Sequence, residues 1–472
     1  MRYATADDLA LYGALAGGAL CCLAAMKVLM PVGRRLGFVT RPRLFGKSDN
    51  AIVFLGGFGI FIAIALLTAL LPGAQRPVGF LLAGGGVLLF LGTADDRYAS
   101  RGGLGVAVRV ACEIAVCLSL WMFGFRPFTS GYLWVDAVFT TLFLVAAVNS
   151  FNLVDNMDGV AGATAVGALA GLAILFSVTG HPAQVVLAAA VAGSCLGFLP
   201  FNIRRPVAYL GNGGSLLLGL AVGLLALELG GRIGGSGGIL AALVVAGVPL
   251  TDSVTRQLSR WVRGRKIWDI SGGTDHISHR LAGAGLPAPA VALAHGLTAL
   301  TFTSAAAMFI VRGAPGALGL LIAAHIAIGA LLVRLSAGPA PVKKGRRGLI
   351  IIGLGAAGAL AVSAGPALAA GGDLIRTRAL LRQGETAARA LKPQAAIEYF
   401  REAERRARRA ASHLDSRLTF SVRLVPVARQ TLLQSHTIAL GAARMAGAGR
   451  MAADAGAAAD LHGDLFSNGA VS

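Results

Sequence analysis

Charge is the first thing this chain lacks. Charged residues make up 14% of its 472 residues, about half of what a soluble domain carries. With 56% hydrophobic residues beside so little charge, a water-soluble globular enzyme and an intrinsically disordered chain are both excluded. Cysteine is also sparse. Cys21, Cys22, Cys112, Cys117 and Cys195 all lie inside apolar runs, with no Cys-x-x-Cys spacing. That excludes a disulfide scaffold and leaves them as small packing residues. Acidic residues number 22 against 42 basic ones, a net charge of +20. The basic residues gather in particular loops between apolar stretches, a membrane-orientation pattern and not a nucleic-acid footprint.

What is present is long, nearly charge-free apolar sequence, such as Gly56–Leu71, Val78–Gly92 and Leu216–Gly231. The fold class is therefore an all-α polytopic membrane protein. Twelve candidate spans cover residues 8–30, 51–72, 78–93, 104–123, 133–149, 160–179, 183–200, 214–230, 237–255, 288–311, 315–335 and 349–370. Eleven belong to a membrane core of residues 1–335; 336–348 is a basic linker, 349–370 a further helix and 371–472 a helical tail. The loop 31–50 carries Arg34, Arg35, Arg41, Arg43 and Lys47. The loop 256–286 carries Arg256, Arg260, Arg263, Arg265, Lys266 and Arg280, and Arg204/Arg205 fall on the same side. That side reads as cytoplasmic. Lys343, Lys344, Arg346 and Arg347 precede Leu349–Ala370, so the tail is expected outside the cell. The tail spacing predicts amphipathic helices around Pro393, with 445–472 poorly ordered.

Polar residues that a bilayer should exclude cluster at the cytoplasmic helix ends, and ionisable groups at that depth are functional candidates by default. Asp95-Asp96 ends one span. Adjacent carboxylates repel, so they call for a cation or a shared proton, and hard oxygens suit Mg²⁺; an ordinary Asp-Asp turn is the alternative. In Asn149-x-x-Asn152-x-x-Asp155-x-x-Asp158-Gly159 the polar residues recur every third position, enough for a stripe on one helical turn. A helix cap needs one such residue, not four. Asn202, Arg204 and Arg205 precede Gly211-Asn-Gly-Gly-Ser215. A helix opening with free N–H groups favours an anion, though the arginines alone fit membrane anchoring equally well. His276-Ile-Ser-His279-Arg280-Leu281 could clamp a diphosphate or move a proton.

With Pro249-x-x-Asp252 added, these motifs resemble, in order and spacing, the polyprenyl-phosphate N-acetylhexosamine-1-phosphate transferases. The likeness covers about residues 30–285, and with flanking helices reaches about 335. His-x-x-His-Arg-Leu is similar to the GlcNAc-1-phosphate branch and not the muramoyl-pentapeptide branch. The resemblance implies transfer of N-acetylhexosamine-1-phosphate, GlcNAc-1-phosphate being favoured, from a UDP-sugar to polyprenyl phosphate, releasing UMP. It implies Asp95, Asp96, Asp155 and Asp158 as catalytic carboxylates. Lys47, Asn149, Asn202, Arg204, Asp252, His276, His279 and Arg280 would contact substrate. Asn152 and Asn212 would hold Mg²⁺, or Mn²⁺ in its place. Expected partners are the UDP-N-acetylhexosamine, the lipid acceptor and the membrane, with no nucleic acid; a homodimer and an envelope partner for the tail stay open.

Three departures stand out. Asn212 replaces the family's Asp at the metal, Ser278 replaces a middle His, and Thr40 stands where an Asp often precedes the Pro, here Pro42. Two other classes compete: a secondary transporter, which would place its polar groups at the bilayer midplane, and an inactive scaffold marked by Asn212.

Overall fold

The computed structural model describes residues 6–40, 51–69, 75–99, 102–128, 130–262, 276–311, 373–374, 376–390, 392–414 and 436–455. These fall into two compact units, the helices up to Val311 and the helices of the tail.

The described residues of the first unit are mostly helical. Its helices are α1 (Ala6–Arg35), α2 (Gly56–Ala69), α3 (Gln75–Tyr98), α4 (Val106–Met122), α5 (Leu133–Val154), α6 (Val160–Thr179), α7 (Pro182–Asn202), α8 (Gly211–Ile233), α9 (Gly235–Val245), α10 (Gly247–Val262), α11 (Ile277–Gly283) and α12 (Ala288–Val311). Among the described residues, six are long and apolar enough to cross a bilayer: α1, α3, α5, α6, α7 and α8. Large apolar side chains such as Leu20, Phe90, Leu118 and Leu142 lie on the outside, where a soluble fold would carry charge. The chain is an all-α integral membrane protein.

Three details correct the sequence reading. The expected span 237–255 is two helices, α9 and α10, bent by 73° at Ala246. Helix α10 continues to Val262, so Arg256 and Arg260 are not loop residues; both are buried helical side chains. The expected span 51–72 begins in extended chain: β1 (Val39–Thr40) pairs antiparallel with β2 (Ile52–Val53), and Val53 also bridges Ala208. Tyr209 N–H donates to Val53 at 2.7 Å, tying the α7–α8 loop to the α1–α2 connection. The expected spans 315–335 and 349–370, the linker 336–348 and Lys47 lie outside the described residues.

Lipid tails offer no hydrophobic incentive for helices to associate, so close backbone approach has to supply it. Helices α1 and α7 meet through small residues: a Cβ on Gly193 would lie 2.1 Å from the Leu15 carbonyl, and one on Gly197 2.3 Å from that of Ala19. The same device joins α3 to α8, where a Cβ on Gly92 would sit 2.3 Å from the Gly213 nitrogen.

In the second unit, α13 (Pro393–Leu414) buries an alanine stripe of Ala396, Ala403, Ala407 and Ala410. Ala442 and Ala443, on the helix over 436–455, cluster with Ala407, and Gly449 lies against the Phe400 ring. Residues 445–455 are therefore helical, correcting the expectation of poor order there.

Two glycines of α1 test the packing argument on one helix. A Cβ on Gly18 would lie 2.4 Å from the Ala190 carbonyl, whereas one on Gly13 meets nothing within 4 Å. Gly18→Ala is expected to destabilise the folded protein by about 1–3 kcal/mol through overpacking, while Gly13→Ala leaves the thermal midpoint level or slightly raised. Equal midpoints for the two variants would contradict close α1–α7 contact.

Candidate active site

The site forms where α3, α5 and α7 end and α8 begins. Helix α3 carries Asp95 and Asp96 in its last turn. Helix α5 runs to Val154, so Asn149 and Asn152 are helical, Asp155 is the C-cap, and Asp158 lies in the turn that follows. Gly159, at φ +80°, reverses that turn. The stripe expected from the three-residue spacing is thus half helix and half turn.

The two aspartates separate. Asp95 points into the bundle. Its carboxylate accepts from Leu104 N–H at 2.8 Å and from the Asn212 amide at 3.1 Å, and it meets Arg109 at 3.4 Å. Behind it Arg109 also lies 3.6 Å from Glu113, a fully buried carboxylate that accepts from the Asn149 amide. Asn149 therefore faces this inner cluster. Neither Arg109 nor Glu113 was singled out from sequence; both sit in a span otherwise ordinary in composition, and a charged pair four residues apart in an apolar helix is the signal that could have found them.

Asp96 points the other way. Its carboxylate accepts from the Asn212 backbone N–H at 2.7 Å, at the positive end of α8. The anion drawn to Gly211-Asn-Gly-Gly is thus the protein's own carboxylate. Gly211 has φ +77°, and a Cβ there would come within 2.9 Å of Asp96 and of the Phe54 carbonyl, so glycine alone fits.

Asp96, Asp155, Asp158, Asn202, Tyr209 and Asn212 line one cavity of about 640 Å³, with Gly37, Thr40, Phe54, Arg97 and Asn156 on its walls. Burial, then the neighbouring Asp96 and Asp158, pushes the Asp155 carboxyl up from 3.8 to about 7. Burial, then Asp158 and Asp155, raises the Tyr209 hydroxyl. Among the described residues, Asp96, Asp155 and Asp158 bring carboxylates to the cavity and Arg97 brings a cation.

The remaining expected residues take other positions. Asn202 is buried, accepting from Gly159 N–H at 2.7 Å and donating to the Ala208 carbonyl at 3.0 Å, so it clips the turn that presents Asp158. Asn152 donates to the Asn212 side-chain oxygen at 3.0 Å and to Ser215 at 2.9 Å. Asp252 accepts from His276 Nδ1 and from Ile277 N–H, both at 2.7 Å, seating α11 against α10. Ser278, in place of the usual His, donates to Asn156, which joins α11 to the Asp155–Asp158 turn. His279 is half-buried, and burial followed by His276 lowers its pKa. Arg280 is buried, donating to Ser259 at 2.8 Å. Arg204 is exposed.

The segment carrying most of this machinery, residues 78–230, matches the sequence profile of glycosyl transferase family 4. The decaprenyl-phosphate N-acetylglucosaminephosphotransferase of Mycobacterium tuberculosis (strain H37Rv) is 30% identical over 294 residues, covering 53% of this chain and 70% of the relative. The chain belongs to glycosyl transferase family 4. The undecaprenyl-phosphate alpha-N-acetylglucosaminyl 1-phosphate transferase of Escherichia coli K12 is 27% identical over 269 residues, 54% of this chain and 71% of the relative. A probable undecaprenyl-phosphate N-acetylglucosaminyl 1-phosphate transferase of Bacillus subtilis is 25% identical over 279 residues. This family 4 member is thus an enzyme of the phosphotransferase kind, and the transporter reading falls away.

Two predictions follow from the geometry of this transferase. Asp96→Asn should lower turnover at least about a hundredfold with little change in thermal midpoint, while Asp95→Ala should lower both, because three donors lose their acceptor at roughly 2 kcal/mol or more in total. Matching stability losses in the two variants would refute the division between them. Asp155 supplies the second. A carboxyl whose folded pKa is raised binds more protons folded than unfolded, so stability falls as pH climbs between 3.8 and about 7. In EDTA the midpoint should fall from about pH 5 to about pH 8, and less so in Asp155→Asn; parallel curves for the two proteins would exclude Asp155 as the cause.

Proposed function

We propose that this transferase moves N-acetylhexosamine-1-phosphate, GlcNAc-1-phosphate by preference, from a UDP-sugar to polyprenyl phosphate at the cytoplasmic membrane face. The observation that carries this is Asp96, held by the α8 N-terminus on the wall of a polar cavity it shares with Asp155, Asp158 and Arg97. The acceptor phosphate oxygen attacks the β-phosphorus of the UDP-sugar. The bond from that phosphorus to the bridging oxygen breaks, and UMP leaves with that oxygen. Asp96 accepts the proton that a monoanionic acceptor carries, and Arg97 offsets the charge of the phosphates as they meet. The turn clipped by Asn202 fixes where Asp158 can reach. The product, a lipid-linked diphospho-sugar, begins a cell-envelope glycan.

The donor chemistry of the cavity fits a hard divalent cation. Asp155 and Asp158 converge there, and burial first, then the neighbouring Asp96 and Asp158, pushes Asp155 up. Among the described residues no three His, Cys, Asp or Glu groups stand together as a metal cage; Mg²⁺ is commonly held by one or two carboxylates with water and substrate phosphate. Asp155 and Asp158 would hold it, with Asn212 contributing where its oxygen is released from Asn152. Bound there, Mg²⁺ would neutralise phosphate charge as the β-phosphorus is attacked. The support for the donor and lipid comes from the relatives' names and from the motif match; the tail outside and the site inside follow from the basic loops.

Membranes holding the protein, given radiolabelled UDP-GlcNAc and polyprenyl phosphate, should form a labelled lipid in the presence of Mg²⁺ and none in EDTA; no labelled lipid with any UDP-N-acetylhexosamine would overturn the reading. Asn212→Asp sharpens the metal test. It places a carboxylate where an amide now donates to Asp95 at 3.1 Å, so activity should depend more steeply on Mg²⁺ and recover at high concentration. An unchanged Mg²⁺ curve would remove position 212 from the metal's surroundings.

A further inference from the structure

The turn that carries Asp155 and Asp158 is held at both ends. Asp155 N–H donates to the Phe151 carbonyl at 3.1 Å, and Gly159 N–H donates to Asn202 at 2.7 Å. Its middle is held by a side chain, that of Asn156. The Asn156 amide donates to the Leu153 carbonyl at 2.8 Å, and the side-chain oxygen accepts from the Ser278 hydroxyl. Ser278 belongs to α11 and is fully buried. Seven residues are too few for a helix to hold itself, so the neighbours of α11 decide where it lies. Both oxygens of Asp252, on α10, accept from its start, one from His276 and one from Ile277 N–H. Further along, Arg280 donates to Ser259 of α10 at 2.8 Å. Helix α11 is thus seated on α10 from two sides and meets the aspartate turn through Ser278.

Resting on the proposed reaction, we infer that Asn156 and Ser278 are a positioning pair, whose hydrogen bond fixes Asp155 and Asp158 on the cavity wall before substrate arrives. Side chain 278 then serves the protein's own turn, and Ser278 acts on the reaction only through Asn156. Asn156 follows Asp155 directly and lines the same cavity as both aspartates, so a displacement of Asn156 displaces them too. The chemistry of the pair suits that task. A neutral hydroxyl donating to a neutral amide holds position without bringing charge among carboxylates. An imidazole at 278 could take up a proton and draw a carboxylate toward itself, which serine cannot do. Carboxylates fixed in advance need no rearrangement as the reaction proceeds. Loss of the pair should therefore show in turnover more than in substrate binding.

The test uses the full-length protein in phosphatidylcholine nanodiscs, and its first arm needs no activity. Hydrogen exchange read by mass spectrometry should find the amides of residues 155–159 exchanging about tenfold faster in Ser278→Ala, with those of 211–216 unchanged. Equal exchange in the two proteins would overturn the pairing. So would a rise across every helix, which marks general loosening. The second arm is a double-mutant cycle on the transfer of label from UDP-GlcNAc to polyprenyl phosphate. Ser278→Ala and Asn156→Ala should each lower kcat about tenfold or more, with both KM values held within about twofold. The double variant should fall no further than Asn156→Ala alone, since the second change removes a bond already lost. Losses that multiply would show two independent residues and overturn the proposal, as would a kcat that Ser278→Ala leaves unchanged. Faster exchange in a protein that transfers nothing would sink the proposed reaction and keep the pair. Transfer with unaltered exchange would sink the pair alone.

Discussion

The site depends on how closely α3 and α8 can approach. Gly92 lies against the backbone of Gly213, and Gly57 of α2 against that of Gly214, with no room for a methyl group at either place. In lipid this closeness holds the helices together. Here it also delivers the first N–H groups of α8 to the last turn of α3, so that Asp96 meets Asn212 at 2.7 Å. Packing and electrostatics are one constraint: move α8 outward by a methyl radius and Asp96 loses both its anchor and its orientation.

That constraint divides two chemically identical neighbours. Successive residues on a helix diverge by about 100°, so one aspartate of the pair has to face the bundle when the other faces the cavity. Asp95 is enclosed by Leu104, Arg109 and Asn212, and Glu113 with Asn149 completes the cluster behind it. Each buried charge there has an opposite charge or a donor beside it, as low-dielectric surroundings demand. On the cavity side Asp155 has two carboxylates for neighbours, Asp96 and Asp158, and after burial they raise its proton affinity.

Much of this could be read from the sequence because polar residues are so conspicuous against an apolar background. Asp95, Asp96, Asn152, Asp155, Asp158 and Asn212 all stood out on that ground, and the structure brings them to one place. Individual engagements were not legible. Spacing could not say that Asn202 and Asn149 commit their amides to the protein itself, or that Arg280 turns toward Ser259, since those depend on helix rotation. Arg256 and Arg260 read as loop residues because basic residues usually mark a loop; their place inside α10 follows from a helix that bends at Ala246 and then runs on. The small strands escaped notice because two residues each are too short for any period to register. In the tail, alanine-rich sequence offers little apolar period to read, and it is the stripe on α13 that makes Ala442 and Ala443 a packing surface.

The Asp96–Asn212 contact spans 116 positions in the chain. A ribosome must therefore finish and insert five more helices, α4 to α8, before the aspartates threaded into the membrane with α3 have their partner. Throughout that interval α3 ends in two carboxylates with no helix terminus to hold one of them, and the nascent chain has no assembled reaction centre. An incomplete product released before α8 would be a membrane protein with Asp95 and Asp96 in place and no α8 terminus to hold either. Assembly of the Asp96–Asn212 contact is in this way deferred until nearly half of the chain has been made, by topology alone.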